Sequence, residues 1–118
     1  MRNRESQIQI ACVRWFRYQY PKLAKVLFAV PNGGYRYYTT GRILKAEGQL
    51  AGVSDLILLT PRAKYGALCI EMKSPKGKQS ESQKEWQQHA EKAGNKYVLC
   101  YSFEDFAKGI KDYLHAEG

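Results

Sequence analysis

Two short stretches decide how this chain folds: Gly52-Val53-Ser54-Asp55-Leu56-Ile57-Leu58-Leu59 and Leu68-Cys69-Ile70-Glu71-Met72-Lys73. Each is an apolar run with a carboxylate at one end. Residues 55–60 and 67–72 have the length and composition of strands, and residues 61–66 read as the hairpin connection between them. Leu56 to Leu59 is apolar at every position, which predicts a central strand covered on both sides. Facing residues of a regular hairpin have a constant index sum. Asp55 and Glu71 share a face only if that sum is even, for example with Thr60 opposite Gly66. That register is the expectation, or a bulge that corrects an odd one.

The rest of the chain builds outward from this hairpin. Residues 5–20 read as a helix whose stripe is Ile8, Cys12, Trp15 and Gln19, ended by Pro21. Residues 26–30 read as a short strand running into the Pro31-Asn32-Gly33-Gly34 loop. A helix over residues 40–47 is stopped by Gly48. Ser80 opens a helix to about Ala93, closed by Gly94, and residues 96–101 form a fourth strand. Ser102 caps a last helix with Asp105 at its third position and a stripe of Phe103, Phe106, Ile110 and Leu114. The order α-β-α-β-β-α-β-α predicts an α/β fold, a mixed central sheet flanked by helices.

Composition bounds the function. The 118 residues suit one domain, residues 1–118, and a hydrophobic fraction of 44% is ordinary for a globular fold. The net charge of +8 points to a polyanionic partner, with nucleic acid the first choice. Residues 1–50 hold 9 Lys and Arg against 2 acids, so most of the excess lies there. No apolar run approaches a membrane span, and residues 1–9 lack the apolar core of a secretory signal. Cys12, Cys69 and Cys100 are odd in number, widely spaced and without a Cys-x-x-Cys pair. They read as buried free thiols of a cytoplasmic protein rather than a zinc or redox site.

The carboxylates break the pattern around them. An acid at the edge of one central strand and a Glu-x-Lys at the end of its neighbour cost desolvation unless something pairs with them. Alternation puts Glu71 and Lys73 on one face of their strand, and an adjacent Asp55 completes a patch of two anions and one cation. That is the minimum set for metal-assisted phosphodiester hydrolysis: carboxylate oxygens for Mg²⁺, and an ammonium to orient water or neutralise charge on the phosphate. The competing reading is a strand-end salt bridge beside a turn aspartate. The 16-residue spacing, the flanking apolar strands and the basic first half favour the catalytic one.

Taken together, these residues resemble the PD-(D/E)xK nuclease fold and, more narrowly, a stand-alone VRR-NUC (virus-type replication-repair nuclease) domain of viral or bacterial type. The resemblance covers residues 5–110. It rests on Glu5, Pro31-Asn32-Gly33, Gly52-Val53-Ser54-Asp55-Leu56, Ile70-Glu71-Met72-Lys73 and Gly77-x-x-Ser80-x-x-Gln83. Ser54 departs from the pattern, because the family usually has proline before the aspartate; the change concerns backbone stiffness rather than ligand chemistry. The resemblance implies that Asp55, Glu71 and the Met72 carbonyl are metal ligands for Mg²⁺, with Mn²⁺ as a substitute, and that Lys73 is the catalytic lysine. It brings Glu5 across as a metal or water ligand, where an ordinary first-turn acid is the alternative. It sets Gln83 beside the catalytic lysine; Ser80-x-x-Gln83 is also a capping box, and both can hold at once.

Candidate DNA contacts are Arg2 and Arg4 near Glu5, Asn32, Tyr35, Arg36 and Arg42 in and after the glycine-rich loop, and Lys76 and Lys78 just past the Glu-x-Lys. Phosphate contact and stacking on unpaired bases suit these groups. The resemblance implies a Mg²⁺-dependent endonuclease on branched DNA, similar to Holliday-junction resolvases, in a bacterial or phage-infected cell. A larger Fanconi-associated relative cuts flaps, and composition does not choose between the two. The alternatives are an RNA-processing nuclease of the same fold and a non-catalytic nucleic-acid-binding module, against which the intact Asp55, Glu71 and Lys73 argue. Two symmetric cuts from one set of site residues imply a homodimer.

Overall fold

Strand β3, Leu68–Met72, is the organising element: all five of its residues are buried. The computed structural model describes residues 4–31 and 38–117. Within them β3 lies between β2 (Leu56–Leu58), its antiparallel partner, and β4 (Lys96–Cys100), which runs parallel to it. The strand β1 (Leu27–Ala29) pairs antiparallel with β2 at the sheet edge, so the spatial order is β1-β2-β3-β4. The hairpin register is Leu56 opposite Ile70, Ile57 opposite Cys69 and Leu58 opposite Leu68. That is the even register the sequence predicts, with no bulge needed. Carried one pair further, it sets Asp55 opposite Glu71. The two-sided cover expected of residues 56–59 belongs to β3 instead: Ile57 is half-buried and Leu59 is exposed.

Helices cover both faces. Helix α1 (Arg4–Gln19) has Glu5 in its first turn and Arg17 in its last, both complementing the helix dipole. Its buried residues are Cys12 and Phe16, with Ile8, Val13 and Trp15 packed around them. The expected stripe therefore sits rotated: Phe16, four residues after Cys12, is the core residue and Gln19 is exposed. Trp15 packs edge-on against Tyr20, Phe103 and Phe106, while Tyr18 is 84% exposed. Pro21 does more than end α1. It opens a 3₁₀ turn, Pro21–Val26, that periodicity does not betray because six residues are too few to carry a stripe.

Helix α2 spans Tyr38–Ala46, α3 Glu81–Lys92 and α4 Phe103–Leu114. Ser102 caps α4 by accepting from the Asp105 amide, 3.0 Å. The Asp105 carboxylate accepts from the Tyr101 amide rather than from Ser102, so the reciprocal half of the box is shifted by one residue. Phe106, Ile110, Tyr113 and Leu114 of α4 meet α1 and the Leu56, Leu58, Leu68, Ile70 and Met72 side chains in the main core. Alternation sends Cys69 and Glu71 the other way. There α3 lies over the sheet, and Cys69, Ala90 and Tyr97 form a second, smaller cluster with Trp86 against it. The three cysteines are buried and free. No helix of the described residues is long and apolar enough to cross a membrane.

Candidate active site

The site forms where the α3 face of the sheet opens at the carboxyl end of β3. Glu71 is only 2% exposed, a carboxylate inside a wholly buried strand. Its Oε2 accepts from Gln83 Nε2 at 3.1 Å and its Oε1 accepts from the Tyr97 hydroxyl at 3.2 Å. The Asp55 carboxyl, in side-chain contact, and the Lys73 ammonium two residues on also act on it. Asp55 in turn accepts the Met72 amide through Oδ2 at 2.7 Å. One backbone bond thus ties the acid at the start of β2 to the residue between Glu71 and Lys73.

Burial is the main reason that the Glu71 carboxyl is pushed up to about 8, and the adjoining Asp55 carboxyl adds to it. The nearby Lys73 ammonium works against this rise without cancelling it. This has a measurable consequence in metal-free protein. A carboxyl raised from about 4.5 in the unfolded chain to about 8 in the folded one costs stability progressively as pH rises through that window, and in full above it. Glu71→Gln keeps the shape without the charge. In EDTA at pH 8.5 it should be more stable than wild type, by on the order of 2 kcal/mol, and the two should converge below pH 4.5. Urea unfolding across pH reads this; equal stability at pH 8.5 would mean that Glu71 carries no burial penalty.

Local sequence explains how the pieces are held. Gln83 donates to Glu71 while its own Oε1 accepts the Ser80 amide at 2.8 Å, and its amide donates to Ser80 Oγ at 3.2 Å. The capping box and the site contact therefore coexist, and the cap fixes which end of the amide faces Glu71. Gly52 has φ +87°, and a Cβ there would lie 2.3 Å from the Ser82 carbonyl oxygen. Only glycine lets the chain leading to Asp55 touch the first turn of α3. Ser54, where the family pattern has proline, is fully buried, and its hydroxyl donates to the Leu56 carbonyl at 3.1 Å. That bond restrains locally the turn a proline ring would stiffen.

The structure brings Asp55, Glu71, Met72, Lys73 and Gln83 together. Glu5, in the first turn of α1, lines a cleft of ≈ 430 Å³ with Ser6, Gln9, Arg14 and Arg17. Among the described residues no three His, Cys, Asp or Glu side chains form a group able to hold a metal ion, so Glu5 does not complete one with the Asp55–Glu71 pair. Arg4 and Lys76 share a second cleft with Ser74 and Pro75, which sets the start of α1 beside the segment following Lys73. Lys78 and Arg42 are exposed. Arg2, Asn32, Tyr35 and Arg36 lie outside the described residues. Tyr97 and the Met72 amide carry no motif that marks them in the sequence. Tyr97 shares Glu71's face only because β4 runs parallel to β3 with Tyr97 opposite Cys69. A lone hydroxyl-bearing aromatic in an apolar strand is the one signal it leaves.

An aspartate facing a buried Glu-x-Lys across an antiparallel pair, on a mixed sheet wrapped by helices, defines a nuclease of the PD-(D/E)xK type. The pattern of the VRR-NUC domain matches residues 3–104, and the chain belongs to that family. A solved structure described as a VRR_NUC domain protein aligns with a TM-score of 0.85 at 23% identity, over 99% of this chain and 93% of its own. Another, described as a VRR_NUC domain, aligns with a TM-score of 0.59 at 19% identity, over 95% and 99%. At such identities the likeness is one of fold. No curated protein matches the sequence.

Proposed function

We propose that this chain is a divalent-metal-dependent endonuclease that cuts branched DNA, with a four-way junction as its substrate. The observation that carries the reading is the pairing of Asp55 with Glu71, Lys73 following on the Glu71 strand. The donor set fits Mg²⁺ or Mn²⁺: two neighbouring hard carboxylates, that of Glu71 buried and with its charged form disfavoured until a cation joins it. Asp55, Glu71 and the Met72 carbonyl would hold the ion. When bound, it supplies positive charge to the transferring phosphate and lowers the pKa of a water. The protein supplies the rest. Lys73 Nζ orients the attacking water or offsets charge on the phosphate oxygens, and Gln83 keeps the Glu71 carboxylate plane fixed.

Charge brings the DNA. The net +8 gives long-range attraction, and Arg4 and Lys76 lie together where a phosphate beside the scissile one would pass. Replacing both with alanine should reduce the slope of log K against log salt by about 1.8, at roughly 0.9 for each phosphate no longer neutralised. Neutralising Arg36 with Arg42 tests the loop side in the same way. An unchanged slope in either pair removes that pair from the DNA surface.

A junction needs two cuts placed symmetrically about the branch. The sequence carries one Asp55–Glu71–Lys73 set and no internal repeat, so the reading includes a C₂ dimer. Light scattering should give about twice the 13.5 kDa chain mass. The function itself is tested on end-labelled four-way junction, flap, linear duplex and single-stranded RNA with Mg²⁺. Paired cuts on the junction are expected. Single nicks on the flap by a monomer would replace the junction reading with the flap one, and cleavage of RNA alone would replace both.

A further inference from the structure

We propose that Tyr97 is a positioning residue for Glu71, and that a chain of side-chain amides on the α3 side fixes the direction of its hydrogen bond. The inference rests on the reading of Glu71 as a ligand in a nuclease site. Tyr97 is buried, its hydroxyl donates to Glu71 Oε1 at 3.2 Å, and the same hydroxyl accepts from Gln79 Nε2 at 3.2 Å. A phenol that accepts from an amide has its own proton left for the carboxylate.

The polarity is set further out. Gln79 Nε2 also donates to Gln87 Oε1 at 2.9 Å, and Gln87 Nε2 donates to Glu91 Oε2 at 3.3 Å. An ionised carboxylate only accepts, so Glu91 turns the nitrogen of Gln87 toward itself and the oxygen toward Gln79. That oxygen turns the nitrogen of Gln79 inward, to Gln87 and Tyr97 together. Tyr97 then has one direction in which to donate, toward Glu71. Gln83 holds the other oxygen with an amide whose orientation is fixed by the Ser80 cap. The Glu71 carboxylate is thus held at both oxygens by donors that are themselves oriented by further hydrogen bonds, and its remaining lone pairs are left for what lies on the Asp55 side. Partners of this kind around a ligating carboxylate change metal affinity or activity by about 10–100-fold when removed.

Tyr97→Phe deletes the hydroxyl and keeps the ring against Trp86. Gln79→Met deletes the amide and keeps the length. Two readouts apply. Crystal structures of metal-free wild type and Tyr97→Phe should show one Glu71 side-chain conformation in the first and a displaced or divided one in the second. Mn²⁺ titrated calorimetrically should bind Tyr97→Phe about 10–100-fold more weakly, with DNA affinity in EDTA unchanged. Gln79→Met should lose less, and the double variant should equal Tyr97→Phe, because Gln79 acts through Tyr97. An undisturbed Glu71 with wild-type Mn²⁺ affinity in Tyr97→Phe would overturn the proposal, and additive losses in the double variant would overturn the relay. If wild type takes up no Mn²⁺, the metal reading fails, and the Glu71 conformation alone decides what Tyr97 does.

Discussion

Asp55→Ala and Lys73→Ala should each stop cleavage while leaving DNA binding nearly intact. In the proposed mechanism both residues act on the reacting phosphate rather than on the path of the duplex, so the loss should fall on the rate. Each should slow hydrolysis by at least about 10³-fold, some 4 kcal/mol of transition-state stabilisation. Their binding effects differ in sign. Removing an acid from a basic chain does not weaken phosphate attraction, whereas removing Lys73 takes away one cation. They differ also toward metal: Asp55→Ala should lose Mn²⁺ affinity, and Lys73→Ala should keep it. Single-turnover cleavage and calorimetry on the same preparations separate these roles. Wild-type rates in Asp55→Ala would remove the acid pair from the mechanism.

Gly52→Ala should give the largest loss of stability of any single methyl added to the described backbone, about 3 kcal/mol. Two costs combine. The φ of +87° disfavours any side chain, and the new Cβ would meet the Ser82 carbonyl oxygen at 2.3 Å and its carbon at 2.5 Å. Both atoms are backbone of the first turn of α3, held by the Ser80–Gln83 cap, so they cannot give way without moving Gln83 off Glu71. Gly48 is the control: its φ is +114°, but nothing lies within 4 Å of a Cβ there. Gly48→Ala should lose about 1 kcal/mol and keep full activity. Urea midpoints for the two variants measure the contact; equal losses would mean that the approach of Gly52 to α3 contributes nothing.

The contrast between those glycines shows what the sequence reveals and what it hides. Element order was legible because each apolar run ends in a residue with one strong local preference: Pro21, Gly48, Gly94, the Ser80 and Ser102 caps. The hairpin register was legible as well, since a shared face for Asp55 and Glu71 demands an even sum, and Leu56 does stand opposite Ile70. The rotation of α1 toward Phe16 was not. Trp15 and Phe16 are adjacent and both apolar, and tertiary packing alone chooses between them. The cover of the sheet also followed geometry beyond local pattern: β2 reads as apolar throughout, but α3 lies over β3 and β4 and leaves Leu59 exposed.

The site divides along the same line. Asp55, Glu71, Lys73 and Gln83 stood out because their chemistry conflicts with their apolar surroundings or matches a short motif. Tyr97 and Gln79 were silent because nothing in a strand of Lys-Tyr-Val-Leu-Cys says that it runs parallel to β3, and only that pairing sets Tyr97 near Glu71. Glu5 is legible only as a motif position: in the structure it lines a cleft with Gln9, Arg14 and Arg17, one residue after the Arg4 that lies beside Lys76.

Whether the cut depends on metal and is made at Asp55, Glu71 and Lys73 can be read in a single time course. Wild-type protein is mixed with labelled four-way junction in EDTA, and Mg²⁺ is then added in excess. The junction should stay intact, though bound, until the metal is added, and should carry paired symmetric nicks afterwards, with Asp55→Ala inert under both conditions. Cleavage that proceeds in EDTA, or Asp55→Ala that cuts after Mg²⁺ as wild type does, would contradict a metal-dependent cut at these residues.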